Sequence, residues 1–390
     1  MSRPDSGAAR GLSLRLPSLI DAWRRERNLI GRSGVLDPKE IEGVGATLLG
    51  LQRGLTSSRR LAGAGYMDDG ELLGAYLLYY WPVTYLQVSL ALASIGRPLG
   101  RVLDLGAGPG PASAACVDHG ATRAHLVDGS ARALAVAKGL LEAPGIEIET
   151  SHCDFEVCGP EAGSAYDTIV ASHLLNELWK DQPDRVERRL SFIEGQAGGL
   201  VSEGFLLLIE PALLATSREH LALRDALAGK GWRILAPCPN SLPCPLLASG
   251  EQRSCHGEAA WNPGEHMASL ARRAGLDRSS VKWSWFAASP PGKAQAVNAP
   301  SGLDAAVGSR VVSEGLLNKA GRQRYLLCSG GSLSTLSAAR DSRIARESGF
   351  LGLGRYDQVA VVGGEKRENG IGLIETSELS IIKKMPGTGP

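Results

Sequence analysis

The chain has 390 residues, 43% of them apolar, and its 42 Lys and Arg nearly balance 41 Asp and Glu for a formal net charge of +1. That balance excludes a globally disordered chain, and the length fits two or three domains. The total conceals an asymmetry. Residues 1–60 carry 11 basic and 6 acidic side chains (+5), residues 310–390 carry 12 and 8 (+4), and the middle is 1 − 5 − 4 = −8. Basic ends of this kind suit a polyanion such as RNA, and equally an ordinary solvated surface.

The N-terminus lacks the compact apolar core and small-residue cleavage site of a secretory leader, so none is expected. Leu16, Leu19, Ile20 and Trp23 fall at helical spacing, and Asp37-Pro38 reads as a cap followed by a first-turn proline. Residues 72–95 hold no charge and are long enough to span a bilayer. Their middle, however, holds Tyr76, Tyr79, Tyr80 and Tyr85 with Pro82 and Gln87, and tyrosine favours a membrane's interface over its centre. The expectation is two buried helical segments broken at Pro82, not a membrane span.

From residue 101 short apolar runs alternate with helical patterns. Strands are expected at 101–105, 125–128, 146–150, 168–172 and 205–210, and helices at 112–119, 131–141 and near 184–198. This rhythm predicts an α/β fold with a parallel sheet covered on both faces. Residues 236–260 are rich in Pro, Cys, Ser and Gly, residues 287–309 read as a linker, and residues 310–390 as a small β-rich module. The expected division is a helical region at 1–97, an α/β core at 98–235, a cysteine-rich segment at 236–290, and a linker with a C-terminal module at 291–390.

Two features carry chemistry. The first is Val102-Leu103-Asp104-Leu105-Gly106-Ala107-Gly108-Pro109-Gly110, a strand followed by a glycine turn and a helix start. Glycines admit a ligand close to the backbone, and the next helix presents its N–H groups. Asp128 follows at the end of the second strand, where an acid can accept hydrogen bonds from ribose hydroxyls. Asp154 follows near the end of the third, where an acid can receive an adenine amino group. The spacing Gly106-x-Gly108-x-Gly110 is not the Gly-x-Gly-x-x-Gly of dinucleotide folds.

With its preceding acid the turn resembles the S-adenosylmethionine loop of class I methyltransferases. By that resemblance Asp104, Gly106, Gly108 and Gly110 form the loop, Asp128 holds the ribose and Asp154 the adenine. Residues 167–178 resemble the fourth motif, where substrate arrives. His173, Asn176 and Glu177 are its candidate pocket residues, with helix capping the alternative role for the last two. The Asn/Asp-Pro-Pro-aromatic signature of base-nitrogen methylation is absent. No catalytic residue is assigned, and methyl transfer can proceed by positioning alone.

The second feature is a cysteine pattern. Of seven cysteines, Cys116, Cys153 and Cys158 are scattered, and the first two read as small buried apolar residues. The others are Cys238-Pro239, Cys244-Pro245, Cys255-His256 and Cys328. Four thiolates suit a structural zinc or an iron–sulfur cluster, and His256 or His266 could replace Cys328 around zinc. Unliganded thiols are the remaining alternative. The spacing is neither a Cys-x-x-Cys knuckle nor the Cys-x-x-x-Cys-x-x-Cys of radical S-adenosylmethionine enzymes.

A glycine-loop core followed by this pattern resembles the Rsm-type, methyltransferase-like assembly factors of the mitochondrial and bacterial small ribosomal subunit. The resemblance takes in Gly54-Leu55-Thr56 and Ala75-Tyr76-Leu77 with Pro82 and Tyr85, and covers roughly residues 45–330. It implies that Cys238, Cys244, Cys255 and Cys328 hold a four-iron four-sulfur cluster. It also implies a monomer that binds S-adenosylmethionine and small-subunit ribosomal RNA, with no DNA or membrane partner. The setting would be a bacterial cytoplasm or a mitochondrial matrix. The resemblance leaves open an RNA methyltransferase and a non-catalytic RNA-binding factor. A small-molecule or protein methyltransferase with a structural zinc stands outside it. The chain departs from the family at Asn240, where His is frequent, at Gly257, where an aromatic is usual, and over its last sixty residues.

Overall fold

In the computed structural model, which describes residues 7–57, 60–61, 65–157, 165–250, 252–260, 264–276, 280–292 and 308–386, the chain forms two units. The first holds residues 1–210 and 261–281, and the second 211–260 and 282–390. Cys158 and most of the expected linker lie outside the described residues.

The first unit begins with three helices, α1 (Gly7–Glu26), α2 (Pro38–Gln52) and α3 (Gly70–Ile95). Strand β1 (Arg101–Leu105), α4 (Pro111–Asp118), β2 (Arg123–Asp128), α5 (Ala131–Leu141), β3 (Glu147–His152), β4 (Tyr166–Ser172), α6 (Arg185–Ala197) and β5 (Leu200–Pro211) then alternate. The strands run in the order β3-β2-β1-β4-β5, and each neighbouring pair is parallel. β1 and β4 are buried almost continuously rather than alternately, as a sheet covered on both faces requires.

α3 corrects one expectation. Pro82 does not divide it, and the helix runs unbroken through 26 residues. An interior proline costs about 3 kcal/mol. Packing offsets that cost: α3 is surrounded by α1, α2 and α4, so Leu73, Leu77, Tyr79, Trp81, Val88 and Leu90 are all buried. The helix is uncharged because it is a core helix. Among the described residues no helix is long and apolar enough to cross a membrane.

The entry to α2 follows its sequence signal. The Asp37 carboxylate accepts from Lys39 and Glu40 N–H, and the Glu40 carboxylate accepts from Asp37 N–H. Arg24 of α1 adds a bidentate pair to Glu40, at 2.8 and 2.7 Å, and donates to the carbonyls of Arg32 and Val35. It is only 5% exposed.

The second unit holds α7 (Leu214–Gly229), β6 (Arg233–Ala236), α8 (Pro245–Ala248) and β7 (Gly257–Ala260). Helix α9 (Gly264–Arg273) belongs to the first unit, where it packs on α2. β8 (Ser280–Ser289) pairs antiparallel with β6 in the second unit. The C-terminal part is β-rich, as expected: β9 (Ser309–Val311), β10 (Leu316–Leu317), β11 (Arg322–Ser329), β12 (Ser332–Ala339), helix α10 (Arg343–Glu347), β13 (Gln358–Val362), β14 (Glu365–Arg367), β15 (Gly370–Gly372) and β16 (Glu378–Lys383). The sheet order is β14-β15-β12-β11-β9-β13-β16, with β10 on β11. Its core holds Val311, Tyr325, Leu327, Leu336, Phe350 and Val359. Gly330 and Gly331, at φ of 53° and 79°, close the β11–β12 hairpin with Ser329 opposite Ser332. Positive φ at both turn residues is what a two-residue hairpin of matching twist demands.

Arg24→Ala would leave the Glu40 carboxylate and two carbonyls bare in a buried place, at a cost of about 3 kcal/mol in denaturant unfolding at neutral pH. Its hydrogen bond to Arg24, above all, holds Glu40 below its ordinary pKa of 4.5. The pair's contribution is therefore complete above that value and fades as acid protonates Glu40. A difference between the two proteins that is small at neutral pH, or that grows in acid, would contradict this account.

Candidate functional site

The glycine turn leaves β1 at the middle of the first unit's sheet. Gly106, Gly108 and Gly110 have φ of 69°, 52° and 82°, so all three need glycine's conformational freedom. Their surroundings differ. A side chain on Gly106 would meet Leu174 at 2.8 Å, and one on Gly110 would meet Ala137 at 3.0 Å. At Gly108 the nearest atom is Met67 Cε at 3.7 Å, so this is the open position of the turn.

Asp128 holds the turn from the end of β2. Its Oδ2 accepts from Gly108 N–H and its Oδ1 from Ser130 N–H, each at 2.8 Å. Burial raises its pKa, and these two donors oppose the rise. Trp81 of α3 donates its indole N–H to Pro109 O at 3.0 Å. Asp104, 1% exposed, accepts from Ser113 Oγ at 2.6 Å, and its Oδ1 is buried without a partner. Asp154 is exposed just beyond β3, with Oδ1 accepting from Glu156 N–H. The turn and Asp128 are thus joined directly, whereas among the described residues Asp154 makes no hydrogen bond to them.

Residues that the motifs did not flag complete this wall. A short turn at Tyr66–Asp68 sets Met67 over Gly108, and Asp68 accepts from Ser130 Oγ at 2.6 Å. Tyr66 stays protonated through burial, followed by Glu177, Tyr76, Asp128 and Tyr80 as neighbours. Tyr76 is raised likewise by burial and by Glu177, Asp128 and Asp104, and its ring stacks on Tyr80 at 5.8 Å. Three phenol rings and the carboxylates of Glu177 and Asp128 therefore share one neighbourhood. Aromatic faces and carboxylates together favour a cation.

The other motif side chains are turned to the scaffold. His173 has φ of 60° and bonds Gln87 Oε1 through Nε2 at 2.7 Å, and burial lowers its pKa to about 4. Asn176 donates from Nδ2 to His173 O. Glu210, at the end of β5, accepts from Leu175 and Asn176 N–H, and burial raises its pKa to about 8. The strand-end position of Glu210 was its only signal in the sequence.

In the second unit the four patterned cysteines influence one another electrostatically. Burial first, then Cys238, Cys244 and Cys328 as neighbours, push the Cys255 thiol up, against a hydrogen bond from Tyr356. Cys328 is pushed up to about 12 by burial and then by Cys238 and Cys244, against Arg224 and Arg310. Cys244 is raised by burial and by Cys238, while Leu247 and Leu246 N–H groups favour its thiolate. Every pairing among the four sulfurs is thus within electrostatic reach. Arg224 of α7, 2% exposed in its side chain, ties the loop down through Asn240 O at 2.6 Å, Leu242 O at 2.5 Å and Asp225 at 2.6 Å. Asp225 in turn accepts from Cys244 N–H at 2.8 Å.

His256 bonds Ser254 Oγ through Nδ1 at 2.8 Å. The His266 side chain lies outside the described residues. Among the described residues no group of three or more His, Cys, Asp or Glu side chains is arranged so that it could hold a metal ion. Cys116 and Cys153 are buried in the first unit, at 0% and 8% exposure.

Asp104 gives this account a pH signature. Burial raises its pKa from 3.8 to about 7. A raised carboxyl disfavours the folded state once it ionises, so the penalty is absent in acid, grows between those values and is complete above them. Asp104→Asn therefore gains stability relative to the parent chain between about pH 4 and about pH 7, measured as denaturant midpoints. A difference flat across that range would contradict the assignment.

The parallel order β3-β2-β1-β4-β5, with a glycine turn after β1 and an acid ending β2, is the class I methyltransferase fold. Solved structures similar to the chain include an S-adenosylmethionine-dependent methyltransferase from Clostridium acetobutylicum, 13% identical, over 34% of this chain and 51% of that one, with a TM-score of 0.28. A ribosomal protein L11 methylase from Lactobacillus delbrueckii subsp. bulgaricus is 22% identical over 38% and 71%, at 0.29. A putative RNA methyltransferase from Pyrococcus horikoshii is 13% identical over 53% and 82%, at 0.34. The chain thus spans about half the length of the first of these. No curated protein matches it. The family model described as mitochondrial small ribosomal subunit Rsm22 matches residues 72–331, two thirds of the chain, and the protein belongs to that family.

Proposed function

We propose that the protein is a small-ribosomal-subunit assembly factor that binds S-adenosylmethionine in its first unit, an iron–sulfur cluster in its second, and ribosomal RNA. The observation that carries the first part is the open Gly108 position, held by Asp128, with Tyr66, Tyr76, Tyr80 and Glu177 within electrostatic reach of one another and of Asp128. A nucleoside fits against a bare backbone beside a strand-end acid, and a sulfonium cation fits aromatic faces with carboxylates behind them. Asp104, Gly106, Gly108, Gly110 and Asp128 would hold the cosubstrate, with Asp154 at the exposed adenine end.

The cluster reading is supported by the donor set. Four thiols in mutual reach, with the guanidiniums of Arg224 and Arg310 facing them, suit a polynuclear cluster with spread-out ligand sulfurs. A structural zinc on the same four thiolates is the alternative occupant. The four-iron four-sulfur form is the one four thiolates would hold, and it supplies a structural clamp or an electron site when bound. Family membership supports the ribosomal partner, and the basic chain ends supply charge for RNA. The protein would work wherever that subunit is assembled, a bacterial cytoplasm or a mitochondrial matrix.

A second reading, a non-catalytic RNA-binding factor on the same scaffold, is favoured by one observation. His173, Asn176 and Glu210 are all engaged in holding their own turn. Methyl transfer by positioning needs none of them, so transfer of label to immature small subunits separates the two readings.

Calorimetry tests the cosubstrate site. The parent chain binds S-adenosylmethionine, and Asp128→Ala weakens binding by about tenfold or more, the worth of hydrogen bonds to a charged group. No binding by the parent chain, or equal binding by the variant, would overturn the assignment. In the same preparation, affinity for small-subunit ribosomal RNA should fall linearly with salt on logarithmic axes.

A further inference from the structure

Tyr356 lies outside the family match, 101 residues from Cys255, yet its phenol oxygen is 3.4 Å from the Cys255 sulfur. It reaches that sulfur at a backbone cost. Its φ is 70°, a left-handed conformation that a bulky residue adopts only when its surroundings impose it.

The surroundings are explicit. Tyr356 N–H donates to Val311 O at 2.7 Å, and Arg310 Nη1 donates to Tyr356 O at 2.7 Å. The next residue, Asp357, is fully buried; it accepts from Gly354 N–H at 2.8 Å and Met385 N–H at 2.9 Å, and pairs with Lys384 at 3.3 Å. The ring packs edge-on against Trp285, with centroids 6.3 Å apart. It also fills the space beside Gly257, where an added Cβ would lie 3.2 Å from Tyr356 Cε2 and 3.2 Å from Trp283. An aromatic side chain at 257 would collide with both rings. The C-terminal module thus brings an aromatic hydroxyl to a place that position 257 leaves bare.

We infer that Tyr356 is a positioning residue of the thiol site: held in its strained turn by Arg310 and Asp357, it donates its O–H to the sulfur of Cys255 and thereby tunes the cluster that the four cysteines hold. This rests on the cluster reading above. The direction of donation follows from chemistry. A metal-ligating Cys255 has no proton to give, so across this 3.4 Å contact the Tyr356 hydroxyl is the donor. A hydrogen bond to a ligand sulfur stabilises the more negative, reduced state of a cluster, so it raises the reduction potential.

The test uses the full chain purified without oxygen, read by iron and sulfide content and by redox titration of the visible spectrum. Tyr356→Phe keeps ring and packing but loses the donor. It should retain iron and sulfide and show a lower potential than the parent chain. A chain carrying 3-fluorotyrosine at position 356, whose O–H is a stronger donor, should shift the other way. Unchanged potentials in both would overturn the inference while leaving the cluster reading intact. So would Tyr356→Phe losing the cluster while the fluorotyrosine chain keeps it at the parent potential, since that marks a packing role alone. A parent chain without iron and sulfide would overturn the cluster reading, and this inference with it.

Discussion

Cys238, Cys244, Cys255 and Cys328 lie within electrostatic reach of one another, and thiols so placed repel one another as they lose their protons. Cys255 and Cys328 are both pushed up by burial and by their fellow sulfurs. Arg224 and Arg310 place cations within electrostatic reach of the thiols. The anchor is α7. From it Arg224 binds the carbonyls of the 238–244 loop, Asp225 binds Cys244 N–H, and Ser217 donates to Cys255 O. Cys328 arrives from β11, beside the two-glycine hairpin of the C-terminal sheet. A group binding all four sulfurs would tie that sheet to Cys255, 73 residues earlier, and to the 238–244 loop before it, so its binding energy would enter folding directly.

The first unit meets a different constraint, that of a backbone which must stay bare. Gly106 and Gly110 are small because Leu174 and Ala137 press on them, whereas Gly108 faces only the distant Met67. Everything around Gly108 fixes its position: Asp128 from β2, Trp81 from α3 through Pro109, and the Tyr66–Asp68 turn through Ser130. α3 therefore has two tasks. Its apolar faces fill the core between α1, α2 and α4, and its Trp81 holds the turn through Pro109 O.

Much of this was legible in the sequence because the signals were local. The glycine turn after a buried strand, the β/α alternation, and the Asp37-Pro38 cap all read correctly. So did a C-terminal β-rich module. The unbroken path of α3 through Pro82 was not legible, because propensity argues for a break and only packing on three helices overrides it. The partners of both sites were equally hidden. Tyr66 meets Asp128 and Glu177, Arg224 meets Cys238, and Tyr356 meets Cys255 across separations that no local spacing encodes. Asp154 shows the opposite case: its place after the third strand was readable, but the structure leaves it exposed and bonded to its own turn.

The central claim is that the four cysteines act as one site for a cluster. Iron, acid-labile sulfide and zinc, measured together per chain on protein purified without oxygen, test it most directly, with Cys238→Ser as the control. The account predicts about four irons and about four sulfides, both lost in the variant. Stoichiometric zinc without sulfide, or no metal at all, would contradict it.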